Sequence, residues 1–158
     1  MNVKEIANLI IEKYWNRSIP VDVEDIAKKI GVDVQYLPQL IGGEDISGRF
    51  DIINNIPTCT IRNTDSIQRQ RFTLAHEIGH FVLGHGGGFI DNAASFNFYN
   101  LDKRETDANS FAIELIIPEL AVNYAFDKRN INSIEELAKL FNVSPSAMEY
   151  RLKQLGIC

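Results

Sequence analysis

The sequence predicts an α+β fold: helices at both ends, and a long central helix beside a small, mostly antiparallel sheet. Three observations lead there. Apolar residues recur at helical spacing near the N-terminus and again after residue 65. Between them lie short runs with strand character at 32–37, 46–53 and 58–62. The last two flank a tight turn at Asn54 and Asn55, which joins antiparallel neighbours. At 158 residues the chain suits a single domain over 1–158 with a real hydrophobic core.

Val3, Ile6, Ala7, Ile10, Ile11 and Tyr14 mark the first helix, and Pro20 interrupts the pattern. Asp22 is a natural N-cap for a second helix through Ile30, with Gly31 at its end. Val32 to Leu37 alternates as a strand does. Gly42 and Gly43 mark a loop before the strands at 46–53 and 58–62, and Pro57 suits a strand start better than a strand interior. Asp65 or Ser66 opens a long helix to about Leu83, with Gly84 as its C′ residue. Residues 86–100 are rich in Gly, Asn and Ser and read as a loop. A structureless loop of that length usually has a function or is disordered. Asp102 to Ile117 reads as a helix stopped before Pro118. Two short helices follow: Ser133-Ile134-Glu135-Glu136 is a capping box, and Ser144-Pro145 is an N-cap with proline at the first helical position. This tail, about 133–156, has helix-turn-helix character.

Apolar residues make up 45% and charged residues 23%, an ordinary globular balance, and the net charge is −5. An acidic chain is a poor candidate for gripping nucleic acid, because phosphate binding needs a cationic face. Direct nucleic-acid binding is therefore not expected. Leu9-Ile10-Ile11 is the longest apolar run near the N-terminus and is closed by Glu12 and Lys13, too short for an export signal. No stretch approaches the ~20 apolar residues of a membrane span. Cys59 and Cys158 make no disulfide framework and suit a reducing cytoplasm. Cys59 reads as a packed core thiol.

The chemistry centres on His76-Glu77-Ile78-Gly79-His80, an HExxH sequence inside the long helix. Residues four apart stand about 40° apart around a helix, so both imidazoles face one way and can share an ion. Glu77 lies about 100° round from His76, placed to serve a water without ligating the ion. Leu74, Ile78, Phe81 and Val82 form an apolar stripe for the core, leaving the histidine face to a cleft. Gly79 costs about 1 kcal/mol of helix propensity against alanine, a sacrifice that close approach of another backbone or a metal site would explain.

A catalytic zinc usually takes three protein ligands and keeps one position open. Asp91, Asp102, Glu105, Asp107, Glu114 and Glu119 are the downstream candidates. In the helix from Asp102, residues Ala108, Phe111, Ala112, Leu115 and Ile116 define the apolar face. Asp107, Ser110 and Glu114 fall on the polar face. Glu105 and Asn109 sit at the edge of the apolar face, so Glu105 is the carboxylate turned inward, and a buried charge needs a partner or an ion. A salt bridge to Lys103, Arg104 or another base would also satisfy it. Asp107 is the runner-up ligand. Asn109 suits a hydrogen bond to a ligand histidine or to Glu105. His85 follows a helix-ending glycine and suits a supporting role better than a ligand role.

Arg71-Phe72-Thr73-Leu74-Ala75-His76-Glu77-Ile78-Gly79-His80, then Glu105 to Ala112 and Leu115 to Pro118, resemble the ImmA/IrrE family of zinc metallopeptidases. Ile19-Pro20-Val21-Asp22 and the helix after it resemble that family's N-terminal part. The resemblance implies a zincin-like fold, with the active-site helix packed beside a small sheet. It also implies an intracellular zinc protease that cuts a regulatory protein, often a helix-turn-helix repressor of a phage or mobile element. Matched residue by residue, the metal ligands fall on His76, His80 and Glu105 and the catalytic base on Glu77.

The expected reaction is hydrolysis of a peptide bond, with zinc as cofactor, although Mn, Fe or Co suit the same donors. Tyr99, His85, Tyr124 and Arg104 are the candidate donors to an oxyanion. Phe96, Phe98 and Tyr99 could meet a substrate side chain, the 86–100 loop could cover the cleft, and an extended substrate could join an exposed sheet edge. Two readings compete. One is a metal-dependent DNA-binding or protein-docking regulator without proteolysis, with Arg151 and Lys153 of the tail as phosphate contacts. The other is a zinc-bearing binder that does not cut, against which Glu77 weighs.

Overall fold

The computed structural model describes residues 1–43, 45–96 and 102–157. The elements run in the order α1 (Val3–Tyr14), α2 (Val23–Lys29), β1 (Asp33–Leu37), β2 (Ile46–Ile53), β3 (Ile56–Arg62), α3 (Ile67–Val82), β4 (Phe89–Asn92), a 3₁₀ turn (Ala93–Phe96), α4 (Lys103–Ile116), α5 (Glu119–Lys128), α6 (Ile134–Phe141) and α7 (Pro145–Gln154). This is the zincin-like α+β arrangement the sequence predicts. The strands form one sheet in the order β1-β3-β2-β4. β1 runs parallel to β3, whereas β2 is antiparallel to both β3 and β4.

Local chemistry places the helix ends. Asn2, Asp22, Ser66, Asp102, Ser133 and Ser144 each accept a hydrogen bond from a backbone N–H of the first turn. Such a cap contributes about 1 kcal/mol. Gly84, which follows the C-cap Leu83 of α3, has φ +74°, the left-handed geometry in which glycine carries no steric penalty.

α3 packs on β2 and β3 with one side and on α4 with another. Phe50, Cys59 and Ile61 of the sheet, Leu74 and Ile78 of α3, and Phe111, Ala112 and Leu115 of α4 meet in one buried cluster. The expected stripe on α3 holds for Leu74 and Ile78, whereas Phe81 and Val82 are half-buried. Gly79 has the close approach it suggested. A Cβ there would stand 3.2 Å from the Ala108 backbone and from the Phe111 ring, so α3 and α4 cross at this point.

Three sequence expectations change. Within 86–100, Phe89–Asn92 is a strand paired to β2 and 93–96 is a 3₁₀ turn. Four residues, two of them polar, are too few for an alternation to register. α5 carries no side-chain cap, so no start signal announces it. Glu114 is buried with only 7% exposure, because the Arg151 side chain of α7 reaches across to it. Arg151 of α7, 1% exposed, donates to Glu114 Oε2 at 3.0 Å, to the Ile117 carbonyl at 2.9 Å and to Gln154 Oε1 at 2.7 Å. It is a buried clamp and is not available as a phosphate contact. Lys153 pairs with Glu149. No helix of the described residues is long and apolar enough to cross a membrane.

Candidate metal centre

Four side chains from three elements converge: His76 and His80 of α3, Asp91 of β4 and Glu105 of α4. Each offers a donor atom within 4.8 Å of all the others, and all four are buried. The two Nε2 atoms lie 3.2 Å apart. Glu105 Oε2 is 3.2 Å from His76 Nε2, and its Oε1 is 3.1 Å from His80 Nε2. Asp91 Oδ2 is 3.5 Å from both. Tetrahedral donors at metal–nitrogen and metal–oxygen bond lengths of about 2.0–2.2 Å stand about 3.3–3.6 Å from one another. The spacing and the nitrogen and oxygen donor types fit a divalent metal ion.

The support around the donors fixes the histidine protons. Asn109 Nδ2 donates to the Ser95 carbonyl at 2.9 Å, which turns Asn109 Oδ1 toward His76 Nδ1 at 2.7 Å. The Nδ1 proton is donated there, so the proton that a bound metal would displace is the one on Nε2, which faces the cluster. His80 Nδ1 stands 2.9 Å from His85 Nδ1. With Nδ1–H of His80 donating, His85 accepts and carries its own proton on Nε2. Burial, and next the neighbouring His80, lower the His85 pKa and favour that neutral form. His85 thus supports a donor rather than being one, as its place after Gly84 suggests.

The centre concentrates negative charge. Burial alone would lower the His76 imidazole, but Asp91 and Glu105 outweigh it and push His76 up to about 9. Burial would raise Asp91, yet His76 and His80 hold it well below the usual carboxylate range. Burial, followed by the charge of Asp91, pushes Glu77 well above its usual range. Both Glu77 oxygens are buried without a hydrogen-bond partner outside the cluster, whereas Asp91 Oδ2 faces the two imidazoles at 3.5 Å. Unpartnered buried carboxylates are costly, and a dication among them removes much of that cost.

The histidine face does not look into an open cleft. His76, Glu77 and His80 are fully buried, because β4 and α4 cover them. A cleft of about 540 Å³ lies outside, lined by His85, Phe89, Asp91, Arg104 and Glu105 among others. Of the four candidate oxyanion donors, His85 and Arg104 line this cleft. Arg104 is held by Asp102, Tyr124 is exposed on α5, and Tyr99 lies outside the described residues, as does Phe98. Phe96 packs edge-on against His76 and Phe72. Asp107, the runner-up ligand, pairs instead with Lys103 at 2.7 Å.

Nothing in the sequence alone singles out Gly48, and Asp91 stands there as one candidate carboxylate among six. A Cβ at Gly48 would stand 2.6 Å from Glu77 Oε2 and would also clash with Thr73. A glycine inside a strand pattern is only a general signal. Asp91 had none beyond being acidic, since its strand is so short.

Comparison with known proteins agrees with this geometry. A family model described as the IrrE N-terminal-like domain matches residues 27–153. Metallopeptidase ImmA of Bacillus subtilis (strain 168) is 33% identical over 96 residues, covering 61% of this chain and 56% of that protein. Radiation response metalloprotease IrrE of Deinococcus radiodurans is 33% identical over 128 residues, covering 78% of this chain and 37% of that protein. The chain spans 56% and 37% of the lengths of these two relatives. With 127 matched residues out of 158, the chain belongs to the IrrE N-terminal-like family.

Proposed function

We propose that this chain is a zinc-dependent endopeptidase that hydrolyses a peptide bond in a regulatory protein. His76, His80 and Glu105 would hold the zinc, Glu77 would be the catalytic base, and residues 1–158 would act as one unit. The observation that carries the reading is Glu77 itself. Its carboxyl group is fully buried beside the metal donors, with no hydrogen-bond partner outside that cluster. A site that only bound metal would gain nothing from a third buried carboxyl group at that place.

Zinc, when bound, would supply Lewis-acid polarisation of the scissile carbonyl and acidify the attacking water to a pKa of about 7. Glu77 then takes the proton from that water and delivers it to the leaving amine. Asn109 and His85 keep the two imidazoles in the tautomer that turns Nε2 inward. Among the described residues, Arg104 and His85 at the cleft would be the candidate donors to the oxyanion. The family resemblance points to a helix-turn-helix repressor of a phage or mobile element as substrate, and to the cytoplasm as the place of action. The competing reading as a DNA-binding regulator loses a basic contact, since Arg151 is buried against Glu114.

Metal content comes first among the tests. Purified protein should carry about one zinc per chain, the stoichiometry of a single catalytic site, and His76→Ala and Glu105→Gln should lose it. Cells expressing the wild type should then show new protein N-termini by mass spectrometry, in a repressor, that Glu77→Gln cells lack. Identical N-terminal maps from the two would overturn the catalytic assignment.

A further inference from the structure

β4 devotes one face to the centre. Phe89 and Asp91 are two apart on the strand and so share a face. The Phe89 ring stacks on His80 with centroids 3.8 Å apart and planes 14° apart. Asp91 Oδ2 reaches both Nε2 atoms at 3.5 Å. Ile90, between them, is 44% exposed. Arg104 lies over the outer side of this arrangement, its guanidinium 5.2 Å from the Phe89 centroid.

Two histidines and two carboxylates make four protein donors, the number typical of a closed site, whereas a catalytic zinc keeps one position for water or substrate. Asp91 is the donor that can leave. His76, His80 and Glu105 sit on long core helices, whereas β4 is a four-residue edge strand. It follows Gly84, Gly86 and Gly88, all at positive φ. β4 also covers the edge of β2, where Gly48 pairs with Asp91 and Phe50 with Phe89. An extended peptide joining that edge would use the same backbone groups and bring its own carbonyl toward the donors.

We propose that Asp91 is a fourth protein donor to the metal, carried on β4 as an internal stand-in for substrate, and that the resting protein is latent until β4 is displaced. This rests on the peptidase reading and adds a regulatory step to it. An extended segment of the protein substrate, pairing with β2, is the competitor that displaces β4. Ligand exchange is the whole of the step: the Asp91 carboxylate leaves, and the position becomes available to the attacking water and the scissile carbonyl.

The test uses the full chain loaded with Co²⁺, whose visible absorption reports the donor set, titrated with acetohydroxamate. Wild type should bind the hydroxamate weakly. Asp91→Asn should change the cobalt spectrum before any addition and bind hydroxamate at least about tenfold more tightly, the factor expected if the open form is a tenth or less of the resting population. Phe89→Ala keeps all four donors and loosens the strand, so it should also tighten hydroxamate binding, and it serves if Asp91→Asn does not fold. Equal hydroxamate affinity in wild type and both variants, with cobalt bound in each, would overturn this inference alone. Failure of the wild type to bind cobalt or zinc would overturn the peptidase reading beneath it.

Discussion

Gly48 and Glu77 are matched across the contact between β2 and α3: the missing side chain of one is the space occupied by the carboxylate of the other. A Cβ at Gly48 would stand 2.6 Å from Glu77 Oε2. Gly48→Ala should therefore act directly on Glu77, the proposed base. Overpacking of this kind costs about 1–3 kcal/mol, so urea unfolding should show a loss of that order together with a fall in cleavage. The loss should shrink in a Glu77→Ala background, because the two sites share one space. A Gly48→Ala protein with wild-type stability and activity would show that the strand and helix are not in contact as described.

Asn109 sits between His76 and the Ser95 carbonyl, accepting from one and donating to the other. At the proposed zinc site, Asn109→Ala should weaken zinc retention by about 10–100-fold, the usual effect of removing the group that orients a metal-binding histidine. Asn109→Asp keeps the acceptor for His76 Nδ1 and loses the donor to Ser95. It should recover much of the zinc affinity, measured by competition with a chromophoric chelator. Equal retention in all three proteins would mean that Asn109 does not orient His76.

The sequence was most informative where one element suffices. His76, Glu77 and His80 are set by helix geometry alone, and Glu105 and Asn109 by the apolar face of one further helix. Where two elements must meet, the signal thinned. Nothing local to Gly48 names Glu77 as its neighbour, and Asp91 joins the centre only because β4 pairs with β2 at Gly48. The same limit put Glu114 on a polar face: the wheel of α4 does not know that Arg151 of α7 will cover it.

Glu114 and Arg151 form a buried pair at 3.0 Å, with side-chain exposures of 9% and 1%. Removing one member leaves a charge with no partner, a loss of about 3–5 kcal/mol. Arg151→Met should cost this much in chemical denaturation, and Glu114→Gln a comparable amount. Arg151→Met with Glu114→Leu should recover part of it, since an apolar pair removes both charges. If Arg151→Met is as stable as wild type, α7 is not clamped to α4 through this side chain.

Cys59 reports on the same core from the sheet side. It is fully buried in β3, the strand between β1 and β2. Burial, and next the nearby Glu77, push its thiol well above the usual cysteine range. In a Cys158→Ser protein, a thiol reagent should leave the native chain unmodified and label it fully in denaturant. The unfolded chain releases the thiol proton at a lower pH than the folded chain does. Above the ordinary cysteine pKa of about 8.5 the unfolded state thus binds fewer protons, and this group's contribution makes stability fall as pH rises. Stripping the metal should speed native-state labelling. A ligand that binds the folded state alone at about a thousand times its dissociation constant stabilises it by about 4 kcal/mol. Its removal also leaves the carboxyl groups of Glu77, Asp91 and Glu105 crowded together without a cation. Labelling at the same rate with and without chelator would show that the centre and the sheet are not energetically coupled.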